Sequence, residues 1–266
     1  MALQTLDLWT LTRGRPQIDP NDLAEAVAVQ AAEEELDYRT RLLIRDSVEA
    51  LRQFWGEKRI RDWLACCPLR EKIDTICREP FDEVGFPSLP RRLMEKTEPE
   101  LIRQFLEHLG RSIHRETRVD IAGVVPCIML GYLSRHTDDI DLIDEVPQEL
   151  RDNHPLLQQL HDSYGLELTH VQSHYYPSGW RDRIHYLGAF GRLEAFLLDV
   201  GDVFLSKLFS ARIKDMGDLR LLRPQLDKAI LVEKLKTTCA SFLADPRLLQ
   251  IAKDNWHILF GEELPQ

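Results

Sequence analysis

The sequence predicts an α+β protein in which a small mixed β-sheet with flanking helices follows a helical N-terminal region. Three observations support this class. Apolar residues recur at helical spacing through most of the first 118 residues, short segments with strand-like alternation follow, and helical spacing returns from Asp202. We therefore predict a helical region at 1–118, an α/β core at 119–222 and C-terminal helices at 223–266 packed on that core.

Length and composition describe a globular protein rather than a membrane or secreted one. The 266 residues suit one large domain or two smaller ones, and 44% of them are hydrophobic and 29% charged. No apolar run approaches the roughly 18 residues of a membrane span, and the N-terminus lacks the basic segment and cleavage pattern of a signal peptide. The five cysteines are an odd number without metal-ligand spacing, which favours reduced thiols and a cytoplasmic location.

The charge is acidic and unevenly distributed. The net charge of −10 argues against a protein that coats nucleic acid without sequence preference. Residues 1–118 hold 19 Lys+Arg and 22 Asp+Glu, a balance of −3, whereas residues 119–266 hold 15 and 22, a balance of −7. A cation-binding site in the second half fits this distribution, and a generally acidic surface fits it nearly as well.

The N-terminal region carries clear helix-start signals. Asp19 followed by Pro20 predicts a cap and a first helical residue, and a long segment of helical spacing follows from Tyr38. Thr97 and Pro99 predict the start of a further helix. If that helix continues far enough, three arginines spaced i, i+4 and i+7 share one face: Arg111, Arg115 and Arg118. Such a stripe is usually solvated surface, and contact with RNA or a triphosphate is the alternative.

After residue 118 the pattern alternates between short strands and turns. A strand ending in glycine ("VDIAG") precedes an apolar segment suited to a buried helix ("VPCIMLGYL"), and "DIDLI" alternates like a strand. Further strand candidates are "LELTHVQ", "RIHYL" and "RLEAFLLDV", the last two joined by the turn-like "GAFG". Asp202 is a candidate cap, and helical spacing continues from it to about residue 258.

Two aspartates at the strand "DIDLI" suggest a metal site. Asp139 and Asp141 stand at i and i+2 and therefore point to one face of the strand, where two carboxylates repel each other unless a cation lies between them. Mg²⁺ is commonly bound by one or two carboxylates together with substrate phosphates. The alternative is a solvated pair at a strand end, with Arg135 as a partner. Gly123, one helix upstream, lets the backbone approach an anion closely.

These segments resemble a known family. "IAGVVPCIMLGYLSRHTDDIDLID" is similar to the signature of polymerase-β-type minimal nucleotidyltransferases, which is a glycine turn, a helix and then R-x-T-x-D-h-D. It is nearest the bacterial group that includes the abortive-infection nucleotidyltransferase toxins of type IV toxin–antitoxin systems. "DVGDVFLSKLFSARIKDMGDLRLL" resembles the later motif of that group, a lysine-bearing helix followed by two aspartates. The resemblance covers about residues 119–222 and implies a nucleotidyltransferase-type fold.

The resemblance also implies roles for particular residues. It makes Asp139 and Asp141 catalytic ligands of Mg²⁺ or Mn²⁺ and places Lys207 on the triphosphate of an NTP. It further assigns nucleotide contacts to the turn at Gly123 and Val124, to a pocket rim and to the later helix. Ser134, Arg135 and Thr137 form that rim, and Lys214 and Asp218 lie on that helix, with Lys207 and Lys214 seven residues apart on one helical face.

The chain departs from the family pattern at two places. Val124 stands where the family usually has glycine or serine, which removes a flexible or hydroxyl-bearing contact to phosphate. The family also has a third metal-facing carboxylate on a neighbouring strand, for which Glu194 and Asp199 are the candidates, with Glu194 preferred.

Two functions compete on these observations. The first is Mg²⁺-dependent transfer of a nucleotidyl group from an NTP to a hydroxyl of RNA or tRNA, a protein or a small molecule, with a cognate antitoxin-like partner if the protein is toxin-like. The second is a nucleotidyltransferase-fold binding or interaction module with weak or no turnover, which the two departures favour. A structural helical protein with a solvated acidic strand is a third reading.

Overall fold

A computed structural model describes residues 7–14 and 17–265, and the chain divides into two compact units after Lys96. The N-terminal unit is helical, with its own apolar core. Its helices are α1 (Leu8–Gly14), α2 (Pro20–Ala31), α3 (Tyr38–Cys66) and α4 (Arg70–Arg78). The predicted cap is present, since the Asp19 carboxylate accepts from the first-turn N–H groups of Asn21 and Asp22. At Gly56, α3 is kinked by a residue in the left-handed region.

The second unit is a five-stranded mixed sheet with helices, which confirms the predicted α+β class. Its helices are α5 (Pro99–Ser112), α6 (Val125–Met129), α7 (Gln148–Arg151), α8 (His154–Tyr164), α9 (Val200–Leu208), α10 (Ile213–Leu222), α11 (Lys228–Thr238), α12 (Ala240–Ala244) and α13 (Pro246–Phe260). Its strands are β1 (Thr117–Ile121), β2 (Asp139–Ile143), β3 (Glu167–Val171), β4 (His185–Phe190) and β5 (Leu193–Leu197).

The strand order is β3-β2-β1-β5-β4. The strand β1 runs antiparallel to β2 and parallel to β5, while β2 and β3 are parallel and β4 and β5 form an antiparallel hairpin. One face is apolar: Ile121 and Leu142 are register partners and both are buried. Helix α5 packs on β4 and β5, and α8 packs on α5 and β3. On each strand, the residues that alternate with these apolar residues point to the opposite face of the sheet.

The helix α5 differs from its prediction at both ends. Its N-cap is Glu98, because the Thr97 hydroxyl is engaged with the backbone of Thr137. The helix ends at Ser112, so the predicted arginine stripe does not form, and Arg118 lies in β1 beside Asp120. The unit that carries the sheet contains α5, which the sequence analysis groups with the N-terminal region.

Two later elements also differ from prediction. The β4–β5 turn is at Gly191 and Arg192 rather than over the whole of "GAFG", because Gly188 continues β4 past a bulge. The helical segment from residue 202 begins earlier, at Val200 with Asp199 as N-cap, and is interrupted between Leu208 and Ile213.

Two further observations concern chemistry rather than fold. All five cysteines are free thiols. Among the described helices, none combines the length and apolar character that crossing a membrane requires.

Candidate functional site

The aspartates of β2 lie side by side on the polar face of the sheet. Asp139 and Asp141 are half-buried, whereas Ile140 and Leu142 between and beyond them are buried in the core. The alternation of the strand alone produces this arrangement, as the sequence predicts. Both carboxylates therefore face one location, which two consecutive residues of β2 would not share.

The neighbouring strand β3 adds two polar side chains that the sequence analysis does not single out. In the parallel register, Glu167 is the partner of Asp139, and Thr169 is the partner of Asp141. The Thr169 hydroxyl donates to Asp141 Oδ1 over 2.8 Å. Partnered residues on adjacent strands point to the same face. Glu167 is thus a third carboxylate beside the pair, and Thr169 fixes the orientation of Asp141.

The environment of Asp139 favours a bound cation. Burial raises the pKa of Asp139, the Asp141 and Glu167 carboxylates raise it further, and the Lys214 ammonium opposes the rise. Each of the raising effects disfavours an uncompensated negative charge, so a divalent cation would stabilise this carboxylate. Across residues 7–14 and 17–265 no group of three or more Asp, Glu, His or Cys side chains could hold a metal alone. Mg²⁺ is usually bound by one or two carboxylates, and substrate phosphates complete its coordination.

Gly123 brings the turn after β1 against Asp141. Its φ is +64°, and a Cβ at this position would lie 1.9 Å from Asp141 Oδ2. Both the backbone conformation and the close approach require glycine here. Burial raises the pKa of the Tyr176 hydroxyl and the Gly123 N–H opposes that rise, so Tyr176, a buried residue that the sequence does not single out, lies close to this turn. A phosphate at this turn would therefore lie close to the Tyr176 hydroxyl.

Val124 faces the core. Its side chain is 6% exposed and its φ is −88°, so Gly123 alone carries the left-handed conformation of the turn. The predicted contact of this residue with nucleotide can therefore involve only its backbone.

Replacing Val124 with serine is expected to destabilise the protein without improving nucleotide binding. The substitution removes buried apolar volume and buries a hydroxyl, which together cost about 1–3 kcal/mol. Thermal midpoints and binding of labelled NTPs measure the two effects, and Val124→Ala is the control that removes volume without adding a hydroxyl. Tighter NTP binding by Val124→Ser at an unchanged midpoint would show that the turn accepts a side-chain contact to phosphate.

Lys207 lies in a buried network of charges. Its Nζ is 2.6 Å from Asp215 Oδ1 and 2.9 Å from Asp218 Oδ2. Burial opposes the charging of Lys207, but the Asp218 and Asp215 carboxylates outweigh it and hold the Lys207 pKa above its usual value. We call the following set the Lys207 network: Arg135, Lys207, Ser210, Arg212, Asp215 and Asp218.

The positions of Lys207 and Lys214 differ from those predicted. Because the helix is interrupted after Leu208, Lys207 on α9 and Lys214 on α10 do not share one helical face. Lys214 is exposed and close enough to Asp139 to lower its pKa, whereas Lys207 is buried among carboxylates. Of the two, Lys214 is the cation accessible beside the aspartates.

The predicted rim residues divide into exposed and buried groups. Ser134 is exposed, but Thr137 is 5% exposed and its hydroxyl donates to the Asp139 carbonyl. Arg135 pairs with Asp218 at 2.6 Å, so both side chains serve an internal contact. Among the rim residues, Thr137 and Arg135 therefore belong to the support of β2 rather than to an open pocket edge.

Glu194, the predicted third carboxylate, lies some distance along the sheet from the aspartate pair. Glu194 is the register partner of Arg118 on β1, whereas Asp141 lies level with Ala122, four residues further along that strand. At about 3.3 Å per residue this separation is about 13 Å along the strand. Asp199 is occupied as the N-cap of α9 and as a partner of Lys234 and His185. The carboxylate beside the pair is Glu167.

Comparison with known proteins bears directly on this geometry. Residues 102–252 match the family model described as "Nucleotidyltransferase of unknown function (DUF6036)", more than half of the chain. The chain belongs to this family. The matched segment contains all five strands, the two aspartates of β2 and the whole Lys207 network. No curated protein and no solved structure matches the chain significantly.

Proposed function

We propose that this nucleotidyltransferase-family protein transfers the NMP group of an NTP to an acceptor hydroxyl in a reaction that depends on Mg²⁺ or Mn²⁺. The hydroxyl oxygen forms a bond to the α-phosphorus, and pyrophosphate leaves. The observation that carries the proposal is the pair Asp139 and Asp141 on one sheet face, with Asp141 against the Gly123 turn. Asp139 and Asp141 would hold a divalent cation there, which would supply positive charge to the phosphates and to the attacking oxygen.

The protein side of this reaction is positioning. Thr169 holds Asp141 through its hydroxyl, and the strand β2 fixes both carboxylates relative to the core. Glu167 adds negative charge beside Asp139, which strengthens the attraction for a cation. Catalysis of this kind depends on preorganised charge and on alignment of the reacting groups.

We propose that Lys214 is the residue that contacts the outer phosphates of the nucleotide. It is exposed and lies close enough to Asp139 to influence its ionisation. A flexible, exposed ammonium can follow the β- and γ-phosphates of a nucleotide whose α-phosphate meets the metal ligands. Gly123 contributes through its backbone, at the point where the turn approaches Asp141 most closely.

For the acceptor we propose RNA or tRNA. The support is the resemblance of the Asp139 and Lys207 segments to abortive-infection nucleotidyltransferase toxins. On the same support we propose a cytoplasmic reaction and an antitoxin-like protein partner. Protein and small-molecule hydroxyls are the other acceptors that the test must include.

Incubation with each α-labelled NTP and Mg²⁺ tests the proposal, with total RNA or total protein analysed on gels and a small-molecule extract analysed by thin-layer chromatography. Gel autoradiography is expected to show label in an acceptor band, and EDTA is expected to remove it. The same NTPs labelled at the γ-phosphate are the control, because nucleotidyl transfer releases that label in pyrophosphate. Label transferred from the γ-position instead would mean that the protein is a phosphoryl transferase.

A binding module without turnover is the second candidate. Two observations favour it: the Val124 side chain is buried, and the buried Tyr176 hydroxyl lies close to the Gly123 N–H. This candidate predicts Mg²⁺-dependent NTP binding with no labelled product at any acceptor. Incorporation of the α-label excludes it.

A further inference from the structure

The loop before β2 is held from two sides. On one side, the Thr97 hydroxyl accepts from the Thr137 N–H at 2.9 Å and donates to the Thr137 carbonyl at 3.0 Å. On the other side, Arg135 Nε donates to the His136 carbonyl at 3.0 Å while Arg135 Nη1 reaches Asp218 Oδ1 at 2.6 Å. These contacts hold three of the four residues that lead into Asp139, from Arg135 to Thr137.

Asp218 in turn depends on Lys207. The Asp218 side chain is 3% exposed, and its two oxygens divide between two cations, Oδ1 with Arg135 and Oδ2 with Lys207. The second carboxylate on Lys207 is Asp215, whose remaining oxygen accepts from Ser210 and Arg212. Lys207 is therefore the cation shared by both buried carboxylates, and it joins α9 to the start and the middle of α10.

We propose that Lys207 is a positioning residue which, through Asp218 and Arg135, holds the loop before β2 so that Asp139 meets the metal and the nucleotide. This inference rests on the proposed function for its consequence in catalysis. It replaces the role that the family resemblance implies for Lys207, contact with the triphosphate. A phosphate would have to take this ammonium from two carboxylates at 2.6 and 2.9 Å inside the protein.

Positioning of the loop and contact with phosphate are the two possible roles of Lys207, and they predict different results when Lys207 and Asp215 are neutralised together. Lys207→Met leaves two buried carboxylates without their shared cation, which is strongly destabilising. Lys207→Met combined with Asp215→Asn removes one charge of each sign and leaves Asp218 paired with Arg135. If Lys207 positions the loop by balancing the charges of the two carboxylates, the double variant, in which Asp218 alone remains and is paired with Arg135, recovers what the single variant loses. If Lys207 binds phosphate, the double variant regains the fold and still lacks the phosphate contact.

Amide hydrogen exchange of the full chain without ligand tests the positioning directly. In Lys207→Met the N–H groups of Thr137 and Asp139 are expected to exchange faster by about ten- to a hundredfold, the equivalent of one lost hydrogen bond to a charged group. In the double variant the rates are expected to return toward those of the wild type. Arg212→Ala is the control, because it removes the exposed cation from Asp215 and leaves Asp218 paired. Unchanged exchange at Thr137 and Asp139 in a folded Lys207→Met protein overturns the proposal.

Nucleotide affinity provides the second readout. We expect the double variant to bind each of the four NTPs with Mg²⁺ within about threefold of the wild type, less than the tenfold of a single lost contact. Loss of NTP affinity at least about tenfold greater than the loss for the matching NMP would show a phosphate contact and overturn the proposal. If the wild type binds no nucleotide at all, the proposed function fails, and the exchange rates still decide whether Lys207 positions the loop.

Discussion

Asp139→Asn and Asp141→Asn are each expected to reduce metal-dependent transfer by at least about a hundredfold, since even indirect ligand partners contribute ten- to a hundredfold. The amide keeps the size of the side chain and removes the charge that a divalent cation requires. Both residues are half-buried on the strand β2, so the fold should tolerate the exchange. Transfer is measured with the α-labelled nucleotide that the wild type uses.

The stability of the metal-free Asp139→Asn protein should move in the opposite direction from its activity. Burial and the Asp141 and Glu167 carboxylates raise the pKa of Asp139, so its ionised form destabilises the folded protein at pH values above that raised pKa. The variant should therefore have a higher thermal midpoint at neutral pH. This advantage should disappear as the pH falls below the ordinary pKa of an aspartate, where Asp139 is protonated in both the folded and the unfolded protein.

Glu194→Gln is the matched control for these two variants. Glu194 lies on the same face of the sheet but is exposed and about 13 Å along the strand direction from the level of Asp141. We expect unchanged transfer. Wild-type transfer by Asp139→Asn and Asp141→Asn together with a loss in Glu194→Gln would move the metal site to the other end of the sheet.

Gly123→Ala is expected to remove transfer and to lower the thermal midpoint. An alanine at φ +64° costs about 1–2 kcal/mol, and its Cβ would lie 1.9 Å from Asp141 Oδ2, so the carboxylate must move. The displaced Asp141 loses its alignment with Asp139 and with the Thr169 hydroxyl. A single methyl group therefore has two effects: it strains the backbone, which lowers the thermal midpoint, and it displaces Asp141, which removes transfer.

Gly165→Ala separates the two consequences. Gly165 has nearly the same φ, +65°, at the end of α8, and a Cβ there has no atom within 4 Å. It should lower the midpoint through the backbone alone and leave transfer unchanged. A Gly123→Ala protein that transfers nucleotide like Gly165→Ala would show that the close approach to Asp141 has no functional importance.

Features that depend on neighbours along the chain were predictable from the sequence. The alternation of "DIDLI" gives the shared face of Asp139 and Asp141, and it needs no knowledge of the rest of the fold. The cap at Asp19 and the strand at residues 167–171 are of the same kind. Each is determined by a few consecutive residues.

Features that depend on tertiary contacts were not predictable in this way. Glu167 and Thr169 reach the site only because β3 pairs with β2 in one particular register. Their own alternation, Glu-x-Thr, is the only local signal, and it becomes informative only once that pairing is known. Thr97 has the sequence signature of a helix cap, but it is recruited by Thr137, forty residues away.

The lysines show how a correct periodicity can mislead. Lys207 and Lys214 are seven residues apart, and an uninterrupted helix would align them. Between the two helices, Ser210 and Arg212 instead turn back onto Asp215 and end the periodicity. One lysine is consequently buried among carboxylates while the other is exposed beside Asp139.

The central claim, that Asp139 and Asp141 bind a divalent cation together with a nucleotide, is tested most directly by titration with Mn²⁺ followed by electron paramagnetic resonance. The titration is made with and without the α,β-methylene analogue of each NTP, which binds without being cleaved. For the wild type we predict that nucleotide tightens Mn²⁺ binding, and that Asp139→Asn and Asp141→Asn each abolish this coupling. Equal Mn²⁺ affinity and equal coupling in the wild type and in both variants would contradict the assignment.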